Sequence, residues 1–220
     1  MEYFTQDFID FFKDLAANNH KEWFHANKKR YINSVKNPFE GFIGDLIKEI
    51  QQHDAQLEVT AKECVSRINR DIRFSADKTP YHTHYSGFIS RGGKKDKSIP
   101  GIYLRFGVDE IGIMGGCYGL DKAQLHALRS KISNDIPSFQ KLISAPDFVS
   151  SFGEIQGEEN KRIPAEFQKA FEKAPIIAKK QYYFVAKEKS SLITSKNLVP
   201  TIMKYWHIAR PVNEYLIEAR

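Results

Sequence analysis

Near Leu57 the apolar residues change their period, and this change limits the fold more than any other feature of the chain. Upstream, Phe4, Phe8, Phe11, Phe12 and Leu15 recur at helical spacing, which predicts a helix from about 4 to 17 stopped by Asn18-Asn19. Asn19 and Glu22 have the spacing of a capping box and open a second helix carrying Trp23, Phe24, Tyr31 and Val35. Asn37-Pro38 ends it and starts a third, whose Phe39, Phe42, Ile43, Leu46, Ile47 and Ile50 form an apolar stripe. Downstream the alternation has period two. CVSRINRDIRF, HYSGFISR, GIYLRFGV and EIGIMGG succeed one another, separated by DKTP, RGGKKDKSIP and a tight VDE turn. This pattern predicts an antiparallel sheet of at least three strands within residues 64 to 113.

Helical signals then return. Asp121 and Gln124 mark another capping box, two short helices are expected near 137 to 152, and 164 to 174 reads as helical. QYYFVAKE reads as a strand, and 197 to 219 as a closing helix kinked near Pro211. The expected architecture is α+β, a central antiparallel sheet packed by N-terminal and C-terminal helices, in a single domain over residues 1 to 220. At 220 residues and 41% hydrophobic composition, one large core is enough to account for the chain.

The amino-terminal MEYFTQDFIDFFKDL is acidic and amphipathic rather than basic and then apolar, and no later window reaches membrane-spanning length. A cytoplasmic location with no membrane partner is therefore expected. Cys64 and Cys117 stand alone in sequence, too far apart for a zinc knuckle or a redox pair, so reduced thiols are expected. The net charge of +6 is moderate, but it is unevenly distributed. HKEWFHANKKR and the stretch from Arg67 to Lys97 are basic while GEIQGEEN is acidic, which favours anionic partners.

The stretch RINRDIRFSADKTPYHTHYSGFISRGG, residues 67 to 93, concentrates the chemistry. Read as a strand, 64 to 74 sets Arg67, Asn69, Asp71 and Arg73 on one face and Ile68, Arg70, Ile72 and Phe74 on the other. Arg70, between two isoleucines, is either paired with a carboxylate such as Asp77 or Glu110, or aimed into a cleft, because an unpaired buried guanidinium is costly. SADKTP reads as a turn carrying Asp77 and Lys78 into a strand that starts at Tyr81 and puts His82 and His84 on one face. Those two histidines lack a third ligand for a metal site, and the segment lacks the spacing of the two-histidine phosphoesterases.

Arg91 ends that strand before Gly92-Gly93 and two lysines, a loop able to cradle phosphate but without the full P-loop pattern; MGGCYGL likewise is not GxGxxG. NNHKEWFHANKKRY reads as a core helix with Lys21, Lys28 and Lys29 on its solvated face. These residues together suggest a pocket for a phosphorylated or carboxylated small molecule built from Arg67, Arg70, Asp71, Arg73, Lys78, Tyr81, His82, His84 and Arg91. Were the chemistry hydrolytic, Asp71 and His82 are the acid–base candidates. Arg70, Arg73, His82, His84 and Arg91 are expected to converge on one cleft, which requires a bulge or strand end because Arg70 and Arg73 face oppositely. No metal or cofactor is called for. Two alternatives stand beside it: a nucleic-acid-binding module, and a non-catalytic interaction protein whose arginines form structural ion pairs.

NNHKEWFHANKKRY with NPFEGF, the 67 to 93 stretch with its DKTPY, PGIYLRFG, GIMGG, LRSKI and GEENKRIPAEF together resemble the bacterial and fungal domain-of-unknown-function family numbered 2461. The resemblance spans nearly the whole chain. It implies one α+β domain and an intracellular setting, and it assigns no activity, cofactor or residue role.

Overall fold

The computed structural model describes residues 2–218. Four strands, β1 (Tyr85–Ser90), β2 (Gly101–Phe106), β3 (Glu110–Cys117) and β4 (Tyr182–Lys189), form one antiparallel sheet in the order β1-β2-β3-β4. The α+β class expected from the periodicity is the class observed. Among the described residues no helix is long and apolar enough to cross a membrane.

The chain divides into two compact units. The first comprises Met1–Lys94, Tyr103–Ile113 and Lys187–Met203. Its helix α1 (Gln6–Ala17) buries Phe8, Ile9, Phe11, Phe12 and Leu15, the stripe that its 3.6-residue spacing dictates. These rings join an aromatic core: Phe8 meets Phe4 edge-on at 4.8 Å and Phe12 at 5.3 Å, and Phe39 meets Tyr85 at 4.9 Å and Phe106 at 5.3 Å. Each such pair contributes about 0.5–1.5 kcal/mol beyond the area it buries.

Between α1 and the sheet, α2 (Lys21–Ala26) and α3 (Lys28–Tyr31) lead through a π-helical turn, Ile32–Lys36, into α4 (Asn37–Gln51). Asn37 does not end a helix as expected; its backbone is helical and its N–H bonds to the Ile32 carbonyl five residues back. Pro38 explains the wider turn. Without an N–H, and with a ring that would crowd the carbonyl of Ser34, a proline is accommodated where the helix loosens to five-residue bonding. The apolar stripe of α4 is the one read from sequence, Phe39, Phe42, Ile43, Leu46, Ile47 and Ile50.

Asn19 differs too. The cap of α2 is His20, whose ring accepts from the Trp23 N–H. Asn19 instead bonds both backbone groups of Tyr81, donating to its carbonyl at 2.9 Å and accepting from its N–H at 3.1 Å. A side-chain amide presents the same donor and acceptor pair as a peptide group, so it completes the pairing a strand neighbour would have made.

The largest departure is residues 64 to 74, which do not form a strand. Cys64 closes a short helix, α5 (Ala61–Cys64), started by a Thr60/Glu63 capping box. Beyond it the backbone pairs with its neighbours in isolated bridges, Val65 to Gly87 and Asn69 to Tyr81, rather than in a ladder. The alternation of Ile68, Arg70 and Ile72 failed as a strand signal because polar positions in this segment bond within their own turn.

The second unit comprises Lys95–Ile102, Met114–Ala186 and Lys204–Arg220. Helix α6 (Lys122–Asn134) has the expected capping box, Gln124 N–H to the Asp121 carboxylate at 2.8 Å and Asp121 N–H to Gln124 Oε1 at 3.0 Å. Helices α7 (Ile136–Ile143), α8 (Pro146–Phe152), α9 (Gln168–Lys173) and α10 (Leu198–Ile217) lie where periodicity placed them, with Pro211 inside α10. Phe148 and Phe152 pack on Phe184 at 4.9 and 4.8 Å, and Asn213 ties the Gly116 N–H (2.9 Å) to the Gly101 carbonyl (3.2 Å).

Candidate anion site

Six of the residues that shape a strongly cationic cavity of the first unit come from α2, α3, the π-turn and α4: Phe24, His25, Lys28, Tyr31, Lys36 and Glu40. The segment after α5 adds Arg67 and Asn69, α5 itself Lys62, and the chain after β1 adds Lys94. The cavity has a volume of about 480 Å³. Its floor is aromatic, with Phe24 and Tyr81 stacked at 4.1 Å and the buried Tyr31 hydroxyl donating to the Tyr85 hydroxyl at 3.0 Å. Burial pushes both of those phenols above the ordinary tyrosine range, so they stay protonated at neutral pH.

Local folding explains why these groups meet. Gly93 has φ +59°, and a Cβ there would stand 3.3 Å from the Glu63 carbonyl, so a glycine lets the loop after β1 close onto α5. Lys94 comes next, its N–H bonded to Glu63 O at 3.1 Å and its ammonium to the carbonyls of Lys62 (2.8 Å) and Val65 (2.5 Å). The Gly92-Gly93 loop thus serves to fix a lysine.

Among the described residues five cations line this cavity, Lys28, Lys36, Lys62, Arg67 and Lys94, against one carboxylate, Glu40. Glu40 lies 3.8 Å from Lys36. Among the described residues Lys28, Lys62 and Arg67 enter no ion pair. Lysines gathered without acids repel one another, and an anion relieves that repulsion.

A second cavity, of about 560 Å³, is lined by Lys13, His84, Arg105, Asp109 and Glu110 with small residues between them. Its charges are largely balanced from within. Arg105 meets Glu110 at 3.0 Å, Lys187 meets the same carboxylate at 3.0 Å, and Lys13 meets Asp10 at 3.3 Å. Burial, with His82 and Arg105 nearby, lowers His84 to about 4, so its imidazole is neutral here. The greater volume therefore comes with less unmet charge than the cationic cavity holds.

The residues expected to converge meet only in part: Arg70 and Arg73, with Arg67 and Asp71, border one cavity of about 320 Å³, and His82, His84 and Arg91 are not among its lining. Arg67 and Tyr81 line the cationic cavity. Arg70 bonds the Asp77 carboxylate at 2.5 Å, the Thr79 hydroxyl, the Thr79 carbonyl at 3.1 Å and the Ser75 hydroxyl at 3.3 Å, so its guanidinium organises the turn. Of the two carboxylates weighed for Arg70, Asp77 is the partner. Arg73 forms a two-pronged pair with Asp71 at 2.9 and 2.7 Å, and Lys78 donates to the Ile72 carbonyl at 3.0 Å. Arg91 forms another such pair with Asp54 at 3.0 and 2.9 Å. His82 and His84 do come together, ring centres 5.1 Å apart, and His84 faces the second cavity. Among the described residues no three His, Cys, Asp or Glu side chains gather into a metal-binding group.

His25, Lys28, Lys36, Glu40, Lys62 and Lys94 line the cavity but were not among the site residues singled out from sequence. A signal was present: Lys28 and Tyr31 are three apart, hence on one helical face, and so are Lys36 and Glu40, four apart. Treating the basic helix as core plus solvent hid the option that its cations border a hollow.

Neither the curated proteins nor the solved structures offer a match. The family model described as conserved hypothetical protein (DUF2461) matches residues 7–215, and the chain belongs to that family.

Proposed function

We propose that this protein binds a small anionic molecule, phosphorylated or carboxylated, in the cationic cavity of its first unit. The observation that carries the reading is the imbalance of the lining, five cations against one carboxylate, with Lys28, Lys62 and Arg67 outside any ion pair among the described residues. Charge-assisted hydrogen bonds to such groups are worth about 1.5–3 kcal/mol each, enough for specific capture by three or four of them. Binding is the proposal rather than a reaction. Asp71, the acid–base candidate from sequence, is held at about 2 by its hydrogen bonds to Arg73, which suits a structural anion and not a proton acceptor at neutral pH. A cytoplasmic setting belongs to the same reading, supported by two buried cysteine thiols that suit a reducing compartment.

Thermal unfolding with phosphate, pyrophosphate and citrate at fixed ionic strength tests it. A ligand at 100 times its dissociation constant adds about 2.7 kcal/mol of stability, a rise of several degrees. The rise should vanish in Lys28→Ala and Arg67→Ala. No rise with any of the three anions would refute the reading.

One observation favours the nucleic-acid alternative. Phe74 is 95% exposed at the tip of the braced turn, under the Arg73 guanidinium at 5.8 Å, and an exposed ring beside cations can stack a base. Fluorescence anisotropy with a labelled single-stranded oligonucleotide, repeated on Phe74→Ala, decides it; submillimolar binding lost in the variant supports the alternative, and binding indifferent to Phe74 removes it.

A further inference from the structure

We infer that the buried tyrosine pair at the floor of the cationic cavity is a reading head for a phosphoryl group, so that the ligand is phosphorylated rather than carboxylated. This deepens the anion-binding reading and rests on it.

Two phenols bring two hydroxyl protons, and the 3.0 Å bond from Tyr31 to Tyr85 uses one. Whichever ring donates, a second proton remains, and among the described residues it has no protein acceptor. Buried donors are rarely left without an acceptor. Tyr85 is 3% exposed and Tyr31 8%, and both rings line the cavity, so the space available to that proton is the cavity itself. An oxygen that enters from the open side, of a water or of a ligand that displaces it, can accept it.

The surroundings select its class. Ser66 and Asn69 are neutral donors on the wall, Arg67 offers a planar fork, and Lys28, Lys36, Lys62 and Lys94 add point charges. Donors so spread in direction match the three terminal oxygens of a phosphoryl group better than the two coplanar oxygens of a carboxylate. The charge count agrees, since five cations against one carboxylate call for a ligand of at least two negative charges. Neutral tyrosines suit the innermost place, because a hydroxyl donates to an anion without bringing a buried charge of its own.

The hydroxyl pair predicts an unusual pattern of substitution. In Tyr31→Phe or Tyr85→Phe the surviving hydroxyl has a free proton to give, so pyrophosphate affinity stays within about threefold of wild type. The double Tyr31→Phe/Tyr85→Phe removes both donors without orphaning either, and affinity should fall about 10- to 100-fold. Isothermal titration with pyrophosphate and with citrate measures this, alongside Arg67→Ala. Expected are pyrophosphate binding at least tenfold tighter than citrate, single variants near wild type, and loss in the double.

Wild-type affinity in the double variant with loss in Arg67→Ala would overturn the tyrosine role and leave the anion site standing. Citrate equal to pyrophosphate would overturn the phosphoryl assignment. Binding of neither anion to wild type would overturn the anion-binding reading and this inference with it. If the double variant does not fold, wild-type protein labelled with ¹³C at tyrosine Cζ gives the second readout. Pyrophosphate should move the Tyr31 or Tyr85 resonance, and titration to saturation with both unmoved would overturn the inference.

Discussion

The turn from Arg70 to Thr79 and the cationic cavity both draw on the basic stretch, yet they use positive charge in opposite ways. In the turn, Arg70 and Arg73 each meet a carboxylate two to seven residues away, and Lys78 caps a backbone carbonyl. In the cavity, Lys28, Lys62 and Arg67 come from three segments and no acid accompanies them into ion pairs. A dense run of arginines with aspartates interleaved can satisfy itself locally. Cations brought together by tertiary folding have no such local partner, and that makes the cavity, rather than the turn, the place to expect a ligand.

Charge reversal in the cavity has the largest expected effect. Lys28→Glu should weaken pyrophosphate binding by about 100-fold or more, through one lost charge-assisted bond and one new repulsion, with the unfolding temperature of the unliganded protein little changed. Titration calorimetry and a thermal scan check both halves; affinity within threefold of wild type would erase the distinction. Next in size, Arg70→Ala should destabilise the fold by about 1–3 kcal/mol, because it strips hydrogen bonds from Asp77, Thr79 and Ser75, while pyrophosphate affinity stays within about twofold. Urea unfolding gives the first number.

Acid separates the regions further. Asp77 is held at about 2, first by the Thr79 N–H and then by Arg70, against an ordinary 3.8. Its folded form favours the carboxylate, so its contribution is complete above about pH 4 and is lost as pH falls toward 2. His84 is held at about 4 against 6.5, chiefly by burial. Here the folded state resists protonation, so stability is unaffected above about pH 6.5 and declines as pH falls toward 4. Urea midpoints from pH 8 to 2.5 should therefore drop in two steps. His84→Asn should flatten the upper step and Asp77→Asn the lower; a single step unaffected by either variant would show that neither group governs it. Smallest of all, Phe74→Ser should change stability by no more than about 0.5 kcal/mol, since the ring is exposed.

Helices, three of the strands in the basic half and the α6 capping box were legible because period and caps are local properties. Residues 64 to 74 were not, since Asp71, Ser75, Asp77 and Thr79 bond the neighbouring backbone and arginines, and these short-range bonds outweigh an alternation of four side chains. Arg67 and Tyr81, which line the cavity, were named from sequence because they lie within the stretch that looked chemical. Lys28, Lys36, Lys62 and Lys94 were not, because what unites them is the closure of the Gly93 loop on α5 and the loosened helix at Pro38, neither of which leaves a periodic trace. Arg91 was legible as a strand end but not as a partner of Asp54, 37 residues away.

Pyrophosphate titration of wild type, Arg67→Ala and Arg70→Ala, side by side in one buffer, separates the cavity from the turn. The two arginines are three residues apart, but one borders the cavity and the other is bound within its turn. Binding to wild type, its loss by at least tenfold in Arg67→Ala and its retention in Arg70→Ala is the result expected. Loss in Arg70→Ala with retention in Arg67→Ala would contradict the account, moving the ligand from the cavity to the turn.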